Sequence, residues 1–252
     1  MKKILNENWK FLFFVLIGGL IGGYCIGLYT YDTLSQKMLI QLQEKDVTKE
    51  MVAFSTMFQY GITYGVILAV IGIMFSNKVN LWEKFKFDKN GFILTMIISI
   101  ISALLLFPGD KLIFGQFSSF VNDQYNVAPT ISKILGGLLV GGIIEEVMMR
   151  LFFMSLLVFI NSKLFYKNKK EIPIKIYVIA NIISAFLFAI GHIPSTMAMT
   201  TLTPVLLIRC FIFNGVFGLC FGYLYRKYGI GYAMMAHGFT HLISDIIMLI
   251  FI

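Results

Sequence analysis

The chain has 252 residues, 58% of them hydrophobic and 13% charged, with a formal net charge of +8. A soluble domain carries about 25% charged residues, so this composition excludes an ordinary water-soluble fold. The positive charge falls on lysines in short loops between apolar runs, which speaks for membrane topology and anionic lipid and against a nucleic-acid partner.

A bilayer crossing takes about 20 apolar residues. Seven apolar runs meet or approach that length, at residues 11–30, 51–75, 92–107, 130–160, 174–193, 204–225 and 230–252. The pattern predicts an all-α, polytopic bundle of about seven transmembrane helices. Residues 1–129 hold the N-terminal spans and 130–252 the core that carries the chemistry, within one compact domain. Met1-Lys2-Lys3 before the first run resembles a signal peptide, but the run exceeds the roughly 7–15 residues of an h-region, so a retained span is expected. The third run is short. The fourth is too long to cross upright and must tilt or project.

The loops set the orientation. Lys2, Lys3 and Lys10 lead the first run. Loop 76–91 carries Lys78, Lys84, Lys86 and Lys89, and loop 161–175 carries Lys163, Lys167, Lys169, Lys170 and Lys175. Arg226-Lys227 ends the sixth run, whereas 108–129 has only Lys111 and 194–203 has neither Lys nor Arg. The positive-inside rule then puts the N-terminus in the cytoplasm and the C-terminus outside, in a cell membrane. Loop 31–50, with three lysines and four acids, weighs weakly against this and suits a short surface helix. Gly18/Gly22, Gly19/Gly23, Gly137/Gly141 and Gly218/Gly222 stand four apart, a spacing that lets membrane helices approach closely. Internal packing is the expected use, with a homodimer through the first helix as the alternative. Cys25, Cys210 and Cys220 show no paired spacing and are expected as free, buried thiols.

The fourth run contains Glu145-Glu146-Val147-Met148-Met149-Arg150. Each such charge in a bilayer costs several kcal/mol and generally faces a bundle interior or wet cavity. Glu146 and Arg150, one turn apart, can pair, while Glu145 points about 100° away. A carboxylate left facing a cavity suits a general base. The alternative is a structural ion cluster. The only histidines, His192, His237 and His241, lie downstream in apolar segments. His237, His241 and Asp245 share one helical stripe, and an i, i+4 pair presents two imidazoles to one point. Asp245 is placed to orient His241. Rise along each helix puts Glu145, His192 and His241 at similar depths and His237 lower.

Carboxylates and imidazoles in one cavity activate water, directly or through a divalent metal such as zinc. Within a membrane the natural electrophile is the peptide bond of a lipidated or inserted substrate. HExxH, GxSG and GxGD signatures are missing. EExxxR at 145–150, FxxxH at 188–192 and a C-terminal HxxxB motif together resemble the CPBP family of CAAX proteases and bacteriocin-processing or self-immunity (Abi) enzymes. The resemblance covers about 130–250. It implies that Glu145 and His192 activate the water, that Glu146 and Arg150 support them, and that His237 and the residue four later stabilise the oxyanion. At position 241, where the family has Asn or Asp, this chain has His. Either His241 replaces that residue as donor or metal ligand, or the motif is His241 with Asp245. The context Gly229-Ile230-Gly231-Tyr232-Ala233-Met234-Met235-Ala236-His237 favours His237. Glu145, His192, His237 and His241 are the candidate metal ligands. The expectation is an intramembrane endopeptidase acting on prenylated or membrane-associated peptides, such as pheromone or bacteriocin precursors. A non-catalytic immunity or scaffold protein is the other reading.

Overall fold

The computed structural model describes residues 2–166 and 171–252. Lys167, Lys169 and Lys170, used above for orientation, lie outside them. Every described element is helical. We number the helices α1 (Lys2–Thr33), α2 (Gln36–Gln43), α3 (Lys49–Lys78), α4 (Lys89–Ile113), α5 (Ser119–Gln124), α6 (131–165), α7 (Ile174–Met199), α8 (Pro204–Tyr228) and α9 (Ile230–Phe251). Six of these, α1, α3, α4, α7, α8 and α9, are long and apolar enough to cross a membrane. The seventh long helix is α6, the charged one. The chain is a multi-pass helical membrane protein. Leu, Ile and Phe side chains stay exposed along the outer faces of α1, α3, α4 and α7, as a lipid environment requires.

Local chemistry fixes where helices begin. Thr48, Asp88, Thr130 and Thr203 each accept a hydrogen bond from a backbone N–H in the first turn of α3, α4, α6 and α8, satisfying donors that the helix leaves orphaned. Between α8 and α9 the chain turns at Gly229, whose φ of 94° is costly for residues with a Cβ. That turn sets the direction in which α9 returns through the bundle.

The third apolar run proves longer than expected. Pro108-Gly109 does not end α4. The helix breaks at Phe107 and resumes at Asp110, reaching Ile113. Asp110 is fully buried and takes two hydrogen bonds from Arg209 Nε at 2.9 and 2.8 Å and one from Nη2 at 2.6 Å. Tyr125 donates to the same carboxylate at 2.6 Å. Burial and the Asp110 charge push the Tyr125 phenol well up, which keeps it a donor. This cluster ties the broken end of α4 to α8. Loop 31–50 contains the short helix α2, as its composition suggested.

α9 packs against α4, α6 and α8, and α1 packs against α3 and α6. The α1 glycines serve neighbours within the chain. A Cβ on Gly19 would lie 2.6 Å from the Tyr60 carbonyl of α3, and one on Gly22 would lie 2.7 Å from Leu139 of α6. All three cysteines are free, but only Cys210 is buried, with Cys25 and Cys220 partly exposed.

Candidate active site

α6 departs from ordinary α geometry where its charges lie. Residues 137–145 and 147–154 form π turns on either side of Glu146. Such wider turns are rare and frequently accompany functional sites. Here Glu145 and Glu146 share His237 as a neighbour, while Glu146 also meets Arg150 and Glu145 also meets His192.

Glu146 is 0% exposed and Arg150 is 1% exposed. Arg150 Nη1 lies 3.1 Å from Glu146 Oε1, and Nη2 donates to the Gly218 carbonyl of α8 at 3.0 Å. The guanidinium is sandwiched between Phe188 at 4.8 Å and Phe221 at 5.7 Å, a cation–π arrangement. Gly218 admits it, because a Cβ there would lie 3.0 Å from Nη2. A charge this deep is tolerable only when paired and hydrogen-bonded.

Glu145 is different. Its side chain is 22% exposed and stands between two imidazoles, with Oε1 3.7 Å from His192 Nε2 and Oε2 3.8 Å from His237 Nε2. His192 caps the first segment of α7, and its Nδ1 lies 2.9 Å from the Phe188 carbonyl. A carbonyl only accepts, so Nδ1 carries the proton and Nε2 presents a lone pair towards Glu145. His237 repeats the pattern. Its Nδ1 lies 2.8 Å from Glu146 Oε1, an acceptor when ionised, which again leaves Nε2 facing Glu145. Two imidazole lone pairs and a carboxylate thus converge at separations beyond direct hydrogen bonding. Such a set is satisfied by a group that brings positive hydrogen or positive charge between them.

His237 is held in place from three sides. Phe221 stacks on it at 4.7 Å, His241 stacks behind it at 5.2 Å, and Gly141 of α6 lies opposite, where a Cβ would be 3.3 Å from Nε2. His237 therefore reaches both glutamates, although the depth reckoning set it lower. His241 packs on Gly137 and Gly141. Asp245 meets Lys133 of α6 at 2.9 Å, so it is committed to an ion pair rather than to orienting His241. All six candidate residues, Glu145, Glu146, Arg150, His192, His237 and His241, fall in one connected cluster on α6, α7 and α9.

The donor chemistry suits a divalent ion. Two Nε2 atoms and a carboxylate face one another, and the Phe188 carbonyl and Glu146 hold the two rings from behind, as outer-shell partners do. Among the described residues, however, no group of three or more His, Cys, Asp or Glu side chains is arranged to hold a metal ion as it stands. The residues that sequence reasoning missed here are Gly218 and Phe221. Gly218 carries no signal beyond its four-residue spacing from Gly222, and Phe221 none beyond being aromatic in an apolar run.

Residues 127–243 match the family model described as Type II CAAX prenyl endopeptidase Rce1-like. No curated protein and no solved structure matches the chain.

Proposed function

From the match of residues 127–243 to the Rce1-like family of CAAX prenyl endopeptidases, we propose that this membrane protein hydrolyses a peptide bond in a lipidated or membrane-associated peptide, using water activated at Glu145. The observation that carries this reading is the convergence of His192 Nε2 and His237 Nε2 on the partly exposed Glu145 carboxylate.

In the proposed reaction Glu145, with His192 beside it, takes a proton from water as the oxygen attacks the scissile carbonyl. The oxyanion forms next to His237, which takes a proton from solvent onto Nε2 before substrate binds and then donates from it, as an imidazolium whose Nδ1–H remains on Glu146. His241 stacks behind as a second polar group on that side. The proton on Glu145 then passes to the leaving amine, the carbon–nitrogen bond breaks, and the carboxylate is restored. Arg150 touches no reacting atom in this scheme. It holds Glu146, and Glu146 holds His237. With His237 neutral and its Nε2 bare instead, Glu145, His192, His237 and His241 would be the candidate ligands of a divalent ion such as zinc, which would supply Lewis acidity at the scissile carbonyl. The distribution of loop lysines supports a cytoplasmic N-terminus, and peptide precursors such as pheromones or bacteriocins suit a site of this kind.

Mass spectrometry of peptides from membranes and medium tests the function. Cells carrying the wild type, no copy, Glu145→Gln or His192→Ala are compared at matched expression. A product peptide found only with the wild type is expected. Identical peptides in all four would overturn the protease reading.

A further inference from the structure

A cavity of about 650 Å³ opens between the first turns of α1, the connection 79–88 and the start of α9. It is separate from the cluster around Glu145. Its walls are Trp9, Phe14, Trp82, Phe85, Ile230 and Met234. Trp82 is itself braced edge-on by Phe11 at 5.1 Å. The opening exists because α1 is not straight. Asn8 leaves helical geometry, at φ −123° and ψ 15°, and its buried carboxamide donates to the Ile4 carbonyl at 2.9 Å. This kink swings the first turns of α1 away from the axis of the rest.

The rim is charged in both signs. Lys10 and Lys84 supply two cations, and Glu7 and Glu83 supply two carboxylates. All four residues are exposed. Indole rings gather at the level of lipid headgroups, and Lys side chains reach from apolar surface to the wet interface. The cavity therefore combines an apolar floor with a rim that carries both charges, the pairing that an acyl chain and a zwitterionic headgroup present. Its size falls within the roughly 300–1,000 Å³ of small-molecule sites.

The geometry points to a binding site for a zwitterionic phospholipid of the phosphatidylethanolamine type. Lys10 and Lys84 hold the phosphate, Glu7 and Glu83 hold the ammonium, and an acyl chain lies over Trp9, Phe14 and Trp82. The balanced rim selects against a purely anionic headgroup, which would bring no positive charge to the two carboxylates and would add its own negative charge beside them. The site rests on the membrane reading alone and stands whether or not the chain is a protease.

Native mass spectrometry of the delipidated full-length protein tests it, with palmitoyl-oleoyl phosphatidylethanolamine, the matching phosphatidylglycerol and monoolein as probes. One phosphatidylethanolamine is expected to bind the wild type, at least tenfold more tightly than either other lipid. Lys10→Ala/Lys84→Ala and Glu7→Gln/Glu83→Gln should each lose that preference, while Lys37→Ala/Lys45→Ala, exposed and away from the cavity, should keep it. These residues are exposed, so unfolding is not expected, and intrinsic tryptophan fluorescence on heating verifies that. Equal binding of phosphatidylethanolamine to the wild type and Lys10→Ala/Lys84→Ala would overturn the site. Tighter binding of phosphatidylglycerol than of phosphatidylethanolamine would overturn the headgroup assignment.

Discussion

Two adjacent glutamates occupy opposite environments, and their substitutions should therefore fail in opposite ways. Glu146 and Arg150 form a buried pair, and removing one partner of such a pair costs about 3–5 kcal/mol because the other charge is stranded. Arg150→Met is expected to lose stability of that order, read by reversible unfolding in detergent. Arg150→Met/Glu146→Gln should lose less than the two single changes summed. Glu145 is partly exposed and, among the described residues, pairs with no Lys or Arg. Glu145→Gln should leave the unfolding transition in place while lowering turnover by about 10²–10⁴-fold, the usual contribution of a general base. A Glu145→Gln protein that unfolds early and a Glu146→Gln protein that does not would reverse these assignments. The division was readable in the sequence, because Arg150 stands one turn after Glu146 and not after Glu145. The tautomers were not. They depend on the Phe188 carbonyl four residues before His192, a backbone group that no side-chain pattern reports, and on Glu146 reaching His237 across 91 positions, which leaves no local trace.

Among the helices, the decisive contact is between α6 and α9. A Cβ on Gly142 would lie 2.7 Å from the Gly238 Cα, and one on Gly141 would lie 3.0 Å from His241 Nε2. Overpacking of this kind typically costs about 1–3 kcal/mol. Gly142→Ala should destabilise by that amount. Gly141→Ala should lower activity although every polar group of the site remains, because the methyl displaces both imidazoles. Turnover and unfolding measured on the two variants check this, and a fully active Gly141→Ala would show that ring position is not critical. Four-residue glycine spacing was visible in the sequence, but its partner helix was not. The π turns of α6 were likewise hidden, since an apolar run with two glutamates reads as plain α-helix. The depth reckoning assumed straight helices of uniform rise and so misplaced His237.

At the level of the whole molecule, the apolar runs and their lysine-rich connections revealed a polytopic bundle because lipid imposes length and charge rules directly on sequence. The break in α4 escaped that reading. Pro108-Gly109 looks like a terminus, and Asp110 beyond it looks like a solvated loop residue, yet Asp110 is buried under Arg209 and Tyr125. An arginine inside the sixth apolar run was the available signal, since such a residue needs a partner. Arg209→Met should strand Asp110 and cost about 3–5 kcal/mol, with Arg209→Met/Asp110→Asn recovering part of it in the same unfolding assay. The topology makes a further claim. A cytoplasmic N-terminus and an external C-terminus predict that cysteines placed at the two ends react with a membrane-impermeant maleimide only at the C-terminus of intact cells. Reaction at the N-terminus alone would invert the bundle.

The account turns on water activated at Glu145, and the purified protein tests that most directly. Wild type and Glu145→Gln, both verified as folded by their unfolding transitions, are given a prenylated reporter peptide in lipid nanodiscs, and cleavage is followed by mass spectrometry in water enriched in oxygen-18. The wild type should release a fragment whose new carboxylate carries the label, and Glu145→Gln should release about 10²-fold less or lower still. Equal cleavage by both proteins would remove Glu145 from the reaction and contradict the account.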